Sequence, residues 1–152
     1  MDSAKCLSRL QKLCSKAEYC RSDVYRKALK DLEGDAQAAR QVVDALVQDR
    51  YVSDARYAAA FSREKASLQG WGPIKIRFQL RAKGLSEADI NAGLSEIEAP
   101  RAEARLVKLL QEKQRLLEGD PQCRLKLIKF ALTRGYEYDA VEAALEQMKN
   151  SL

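Results

Sequence analysis

The sequence predicts an all-α protein made of three tandem three-helix repeats, each similar to a helix-turn-helix unit, in an elongated and curved array. Apolar residues recur at steps of three and four through successive segments of the chain, which is typical of amphipathic helices. Gly34, Gly84 and Gly135 each precede the last helix of a repeat, and they are separated by 50 and 51 residues. A fixed period near fifty indicates tandem repeats and not a single bundle. The predicted repeats are residues 1–50, 51–98 and 99–152.

The first repeat contains three amphipathic segments. The first helix is expected over residues 4–17. Ser22 and Asp23 form a cap that opens a second helix through Leu32, and Gly34 separates it from a third helix over residues 36–49. We expect these helices to turn inward Leu7, Leu10, Cys14, Ala17, Val24, Ala28, Leu32, Ala39, Val43 and Leu46.

The central stretch of the second repeat, from Ser53 to Leu94, contains residues typical of helix ends. Serine and aspartate cap helix N-termini, proline fits a first turn, and glycine adopts the left-handed conformation of a C-cap. The first helix begins at Ser53 or Asp54 and is ended by Gly70, and the second begins at Pro73 and is ended by Gly84. The third begins at Ser86, where Asp89 completes a capping box. The expected inward residues are Tyr57, Phe61 and Leu68, then Ile76 and Leu80 with Ile74 and Phe78 beside them, then Ile90, Leu94 and Ile97.

The third repeat shows the same punctuation. Pro100 fits the first turn of a long helix that Gly119 closes, and Asp120 with Pro121 forms a cap and a first-turn proline for the next helix. The last helix runs from about Tyr136 to Lys149. The expected inward residues are Ala102, Leu106, Leu109, Lys113 and Leu116, then Leu125, Ile128 and Leu132, then Val141, Leu145 and Met148.

Charge follows the repeats. The net charge is only +5, but residues 55–83 have a balance of +6, and residues 84–98 have a balance of −4. The middle helix of each repeat is therefore basic, and the last helix is acidic. Basic middle helices in a row would offer a face for phosphate groups or for an acidic partner. The outer repeats place these basic residues in their middle helices: Arg21, Arg26, Lys27 and Lys30, and Arg124, Lys126, Lys129 and Arg134.

Cysteine use and motif content indicate neither a metal site nor an active site. The chain has no histidine, and its four cysteines show no CxxC spacing, so we expect no metal, no cofactor and reduced thiols. Gly70-Trp71-Gly72 lacks the lysine and the serine or threonine of a phosphate-binding loop. No signal peptide or membrane-spanning run is recognised, so a cytoplasmic location is expected. The cysteines are Cys6, Cys14, Cys20 and Cys123.

The run from Ser53 to Leu85 resembles the core signature of the RecX regulatory proteins. It reads SDARYAAAF and then GWGPIKIRFQLRAKGL. The family pattern is close to D-x-R-[FY]-A-x-x-[FY], followed by G-x-G-P-x-[RK]-I-x-x-E-L-R-x-K-G-I. Gln79 stands where the family usually has glutamate, and Leu85 where isoleucine is common. The outer repeats resemble the family in their helix pattern more than in residue identity.

This resemblance implies a regulatory protein and not an enzyme. RecX proteins bind the RecA recombinase and its filament on single-stranded DNA, lie in the filament groove, and restrain filament growth, ATP hydrolysis and strand exchange; direct DNA contact is also known in the family. A monomer is expected. The candidate contacts to the RecA filament or to DNA are Arg56, Lys75, Arg77, Arg81 and Lys83, with Arg124, Lys126 and Lys129 of the third repeat, and Trp71 is a candidate for stacking.

Two function classes stay open on the residues alone. Arg77 and Arg81 lie one helical turn apart with no acid at neighbouring turns, so we expect both to be exposed and to bind a partner. The alternative is a helix-turn-helix regulator that acts on duplex DNA. Against that alternative, the helix that would enter the major groove is the acidic one in every repeat, and its carboxylates would repel phosphate.

Overall fold

The computed structural model describes residues 1–150, and within that range the protein is an all-α helical repeat array of nine helices without a strand. This confirms the predicted all-α class with helical repeats. The helices are α1 (Ser3–Lys16), α2 (Arg21–Asp31), α3 (Ala36–Gln48), α4 (Asp54–Ser67), α5 (Pro73–Ala82), α6 (Glu87–Leu94), α7 (Ala99–Leu116), α8 (Cys123–Thr133) and α9 (Tyr138–Asn150).

The chain divides into two compact units. The first unit contains residues 1–60 and 80–93, and the second contains residues 61–79 and the chain from Leu94 onward. The division therefore passes through α4, α5 and the end of α6. The predicted boundaries of three separate repeats stay a prediction.

The first unit has a core built by α1, α2 and α3. The inward positions predicted for α2 and α3 are buried. In α1 the buried residues are Cys6 and Leu10; Leu7 and Cys14 are half-buried, and Ala17 lies exposed beyond the helix end. The inward face of α1 is thus centred nearer the N-terminus than predicted. The core residues are Cys6, Leu10, Val24, Ala28, Leu32, Ala39, Val42, Val43, Leu46 and Val52.

Helix α2 begins earlier than the predicted Ser22-Asp23 cap. Cys20 occupies the N-cap position, and its backbone amide donates to Oδ2 of Asp23 at 3.4 Å. The amide of Arg21 donates to Oδ1 of Asp54 at 2.8 Å. Since these carboxylates satisfy amides that have no partner inside the helix, the helix can start at Arg21.

The second unit has its core between α7, α8 and α9, and the inward face predicted for α8 is wrong. In α8 the buried residues are Leu127 and Ala131, whereas Leu125 is 67% exposed and Leu132 is 43% exposed. Leucine and isoleucine occur on more than one side of α8, so periodicity alone selects the wrong stripe. The core residues are Leu106, Leu109, Leu110, Leu127, Ala131, Tyr136, Val141, Ala144, Leu145 and Met148.

Three further predictions about inward residues and helix starts are corrected by the structure. Leu68 and Leu116 are exposed, because one follows the last residue of α4 and the other ends α7. Pro121 lies outside α8, which begins at Cys123. There the carboxylate of Asp120 accepts a hydrogen bond from the amide of Gln122 at 2.8 Å. Val141, Leu145 and Met148 are buried in α9, as predicted.

In each unit, hydrogen bonds join the start of one middle helix to the end of another. In the second unit, the amides of Gly72 and Ile74 at the start of α5 donate to the carbonyls of Arg134 (2.7 Å) and Gly135 (2.9 Å) at the end of α8. In the first unit, Oγ of Ser22 near the start of α2 donates to the carbonyl of Lys83 at the end of α5, at 2.7 Å. Each junction satisfies groups that the helix ends leave without partners.

Burial repeats at a spacing of 51 residues between the second and third repeats. Four pairs of positions are buried in both members. The internal similarity predicted from the glycines is therefore also present in the packing. The pairs are Ile76 with Leu127, Leu80 with Ala131, Leu85 with Tyr136, and Ile90 with Val141.

Candidate interaction surface

Trp71 and Lys75 belong to a cluster of aromatic rings and cations at the start of α5. The Nζ of Lys75 lies 4.4 Å from the centroid of the Trp71 ring, and the Nζ of Lys65 lies 5.0 Å from it. The ring of Phe61 packs edge-on at 6.1 Å with an interplanar angle of 69°. Because a cation over an indole face is attracted to it, a base stacking on Trp71 would compete with these lysines. The stacking role of Trp71 stays a prediction.

Arg77 and Arg81 differ in their surroundings, although both were expected to be exposed. Arg81 is exposed, whereas Arg77 is half-buried. The guanidinium of Arg81 donates through Nε and Nη2 to both carboxylate oxygens of Glu87 in the first turn of α6. The carboxylate absent from the neighbouring turns of α5 is thus supplied by the next helix.

Lys83 is held by a buried carboxylate. Its Nζ donates to Oδ1 of Asp23 at 2.8 Å and lies 5.6 Å from the centroid of the Tyr57 ring. Asp23 is only 8% exposed and also accepts from Nη2 of Arg26 at 2.7 Å. Burial alone would raise the pKa of Asp23, but the hydrogen bonds from Lys83 and from the amide of Cys20 lower it below its ordinary value. Lys83 therefore stabilises the first unit, and its role as a contact stays a prediction.

Arg56 is also engaged by a carboxylate. Its Nε and Nη2 donate to Glu18 at 2.8 and 3.2 Å, and Nη2 is 3.3 Å from the carbonyl oxygen of Tyr51. The hydrogen bond to Glu18 raises the pKa of Arg56. A partner that binds Arg56 must share the guanidinium with Glu18 or displace that carboxylate.

The basic side chains of α8 are exposed, and two of them are paired. Arg124 donates to Glu142 of α9 at 2.9 Å, and Lys126 donates to the carboxylate of Asp120. Lys129 is exposed, and no carboxylate pairs with it within residues 1–150. Of these three predicted contacts, Lys129 offers the most accessible charge.

Sequence reasoning missed exposed apolar side chains on the same basic helices. Ile74 and Phe78 are 51% and 67% exposed on α5, and Leu125 and Leu132 are exposed on α8. Ile74 and Leu125 are equivalent positions at the 51-residue spacing. The available signal was that α5 carries two apolar stripes, of which a helix at the surface can bury only one.

A basic concavity in the first unit was also not singled out. It has a volume of about 440 Å³ and lies beside α2. The Nζ of Lys27 lies 5.5 Å from the centroid of the Tyr19 ring. The only acid in the lining is Asp23, which already pairs with Arg26 and Lys83. The basic lining residues are Arg26, Lys27, Lys30 and Lys83.

The four cysteines are free, and burial raises the pKa of the Cys6, Cys14 and Cys20 thiols. No group of three metal-binding side chains occurs in the described part of the chain. Over residues 1–150, the helices are all too short or too polar to cross a bilayer.

The central segment matches a known family. A family model described as "RecX, second three-helix domain" matches residues 53–94, which include α4, α5 and α6. Curated relatives called "Regulatory protein RecX" come from Bacillus mycoides (strain KBAB4), with 29% identity over 112 residues, and Bacillus cereus (strain Q1), with 28% identity over 112 residues. Each match covers 72% of this chain and 42% of the relative, so the chain matches less than half the length of these relatives.

Solved structures agree with the sequence comparison. The crystal structure of a regulatory protein RecX superposes with a TM-score of 0.85 at 25% identity, over 95% of this chain and 71% of that one. RecX from Lactobacillus salivarius has the same fold, with a TM-score of 0.84 at 18% identity, over 97% and 96% of the two chains. The central motif, the named relatives and the helical fold agree: the chain is similar to the RecX regulatory proteins in its central three-helix segment and in its fold.

Proposed function

We propose that this chain binds RecA and its filament on single-stranded DNA, and that it restrains filament extension, ATP hydrolysis and strand exchange during recombination and repair. It acts in the cytoplasm as a binding protein and not as an enzyme. The observation that carries the proposal is the match of residues 53–94 to the second three-helix domain of RecX. Helix α5 lies within that segment and contains three of the predicted contacts, Lys75, Arg77 and Arg81.

The chemistry of α5 supports a protein partner. Phe78 exposes 67% of its surface, and Ile74 lies one turn earlier on the same side of the helix. Lys75 and Arg77 flank these side chains. Large apolar groups bordered by arginine and lysine are typical of the centre and rim of a protein interface, whereas phosphate groups make no use of an exposed phenylalanine.

Helix α8 has a similar composition. Leu125 and Leu132 are exposed, and Lys129 lies between them without a paired carboxylate in residues 1–150. An acidic, partly apolar surface on the partner would complement both helices. The filament offers protein surface together with nucleic acid, so the same helices could also approach phosphate at their basic edges.

The helix-turn-helix alternative is less well supported. Its groove-entering helices would be α6 and α9, and their carboxylates lie at the surface: Glu87 pairs with Arg81, and Glu142 pairs with Arg124. Helix α6 carries one amide side chain and no basic one, and the amide and basic side chains of α9 lie at its C-terminal end, whereas a recognition helix contacts base edges with its N-terminal residues.

The test measures ATP hydrolysis by RecA from the same organism on single-stranded DNA, with this protein titrated well below one copy per RecA. Strong inhibition at that ratio, together with shorter filaments in electron micrographs, is the expected result. An unchanged rate and filament length, with tight binding to one duplex sequence, would overturn the proposal in favour of the duplex-binding alternative.

A further inference from the structure

The second compact unit contains a cavity of about 550 Å³, which is within the size range of ligand and anchor pockets. It lies beside the end of α4, the start of α5 and the first two turns of α7. Its walls are largely apolar. They include Trp71, Pro73, Leu94, Ile97 and Ala102.

Tyr136 contributes an unpartnered hydroxyl to this lining. The residue is 5% exposed, yet within residues 1–150 its hydroxyl makes no hydrogen bond. Burial raises the pKa of the phenol, while the positive charges of Arg105 and Arg134 act in the opposite direction. The hydroxyl oxygen keeps access to solvent, since Oγ of Ser62 is the one fully buried side-chain polar atom without a partner in the described residues. The phenol can therefore donate to an acceptor that enters the cavity, with two guanidinium groups nearby.

The rim carries charges of both signs. Arg63 lies 3.8 Å from Glu96, and Arg101 lies 3.5 Å from Glu98. Arg105 has no carboxylate partner in the described chain; its Nε donates to the carbonyl of Ser67 at 3.2 Å. One guanidinium thus remains available for an incoming anion.

The charges at the rim and the apolar walls indicate which class of ligand fits the cavity. Two of the three arginines at the rim are paired with carboxylates, so the rim offers little of the accessible positive charge that a phosphodiester chain requires. Tryptophan, tyrosine and arginine are the residue types that dominate the binding energy of protein interfaces, especially around a pocket that excludes water. An apolar wall with a single available guanidinium and phenol complements an apolar side chain that has a carboxylate beside it.

We propose that this cavity receives a large apolar side chain from a protein partner, and that a neighbouring carboxylate of the same segment bonds to Arg105 and Tyr136. The inference rests on the proposed function, in which that partner is the RecA filament. It adds an anchor site away from the exposed face of α5.

The main test fills the cavity. In Ala102→Trp the indole occupies the space that the anchor needs, whereas Ala104→Trp adds the same side chain at an exposed position of α7 that does not line the cavity. Filament binding is measured by fluorescence anisotropy of labelled protein. We expect a loss of at least about tenfold for A102W and less than about twofold for A104W.

A second variant removes the hydroxyl and keeps the ring. Tyr136→Phe preserves the core, so we expect a loss of filament affinity of about three- to tenfold with little change in thermal midpoint. This variant keeps the inference testable if A102W does not fold, since wild-type binding by Y136F would then overturn it.

The outcomes separate the two proposals. Wild-type affinity in a folded A102W would overturn the cavity site and leave filament binding intact. No filament binding by the unmodified protein would overturn both. If A102W lost affinity for single-stranded DNA alone but kept its affinity for DNA-free RecA, the occupant would be a nucleobase, and the protein anchor would be wrong.

Discussion

At the scale of single residues, Lys83 shows that a basic side chain predicted to bind a partner can instead form an internal ion pair, here with Asp23. Its carboxylate is nearly buried, and it accepts hydrogen bonds from Lys83, Arg26 and the amide of Cys20. A buried carboxylate needs such donors because it has lost most of its hydration. The basic character of Lys83 is visible in the sequence, but its partner lies 60 residues away.

Replacing Lys83 with methionine is expected to destabilise the first unit. The methionine retains much of the stem and removes the ammonium group from Asp23. We expect the free energy of unfolding to fall by about 1–3 kcal/mol, the cost of leaving a buried acceptor short of a donor. Urea denaturation measures this change. Lys30→Met, at an exposed position of α2, is the control and should change stability by less than about 0.5 kcal/mol; equal effects would contradict the structural role.

Acid should destabilise the protein partly through Asp23. Burial would raise its pKa, but the hydrogen bonds from Lys83 and Cys20 lower the value in the folded state. A lowered pKa contributes stability that is present above the unfolded value, about 3.9, and is lost as the pH falls through the folded value. Between about pH 5 and about pH 2, the urea midpoint of the wild type should fall more steeply than that of Asp23→Asn. Parallel pH profiles would count against this assignment.

At the scale of helices, periodicity predicts most elements but not always their inward side. Helices α2 and α3 bury the predicted residues because each has a single apolar stripe. Helix α5 has two, and the one with Ile76 and Leu80 is buried while Phe78 is exposed. In α8 the small residue Ala131 occupies the core in place of Leu132. Packing against neighbouring helices decides between stripes, and a single sequence does not contain that information.

The junction of α5 with α8 depends on a close backbone approach. A Cβ atom on Gly72 would overlap the carbonyl group of Gly135 and the amide nitrogen of Tyr136. Gly72→Ala should therefore separate the two helix ends and weaken the hydrogen bond from the amide of Ile74 to Gly135. We expect a loss of about 1–3 kcal/mol in stability and faster exchange of the Ile74 amide proton.

Gly119→Ala is the matched control for this junction. Gly119 has open space around it and a φ of 83°, so alanine there adds backbone strain, roughly 1–2 kcal/mol, without a clash. Gly119→Ala should not selectively raise the hydrogen-exchange rate of the Ile74 amide proton. If Gly72→Ala left the protection of the Ile74 amide unchanged, the close approach would not be needed for the junction.

At the scale of the whole molecule, the sequence predicts the basic residues well but not which charges are accessible. Arg81 and Arg124 are paired with carboxylates of the following helix, Arg56 with Glu18 between α1 and α2, and Lys83 with a buried carboxylate. Because these partners lie outside the helix that carries the basic residue, charge counts within one helix overstate the accessible positive charge. The exposed apolar residues of α5 and α8 are recognised only once the buried residues are known.

The exposed apolar surface of α5 leads to a prediction about how strongly the protein inhibits ATP hydrolysis by RecA. Phe78→Ser removes the largest exposed apolar side chain of α5 without touching the core, so the fold should be retained, as checked by circular dichroism. If α5 contacts RecA, the concentration for half-inhibition of ATP hydrolysis should rise by at least about fivefold, the effect of a residue that contributes more than 1 kcal/mol. Leu116→Ser, at a residue 79% exposed at the end of α7, is the control and should inhibit as the wild type does. Equal inhibition by F78S and the wild type would move the contact surface away from α5, whereas equal losses in F78S and L116S would indicate that exposed apolar side chains act without a defined interface.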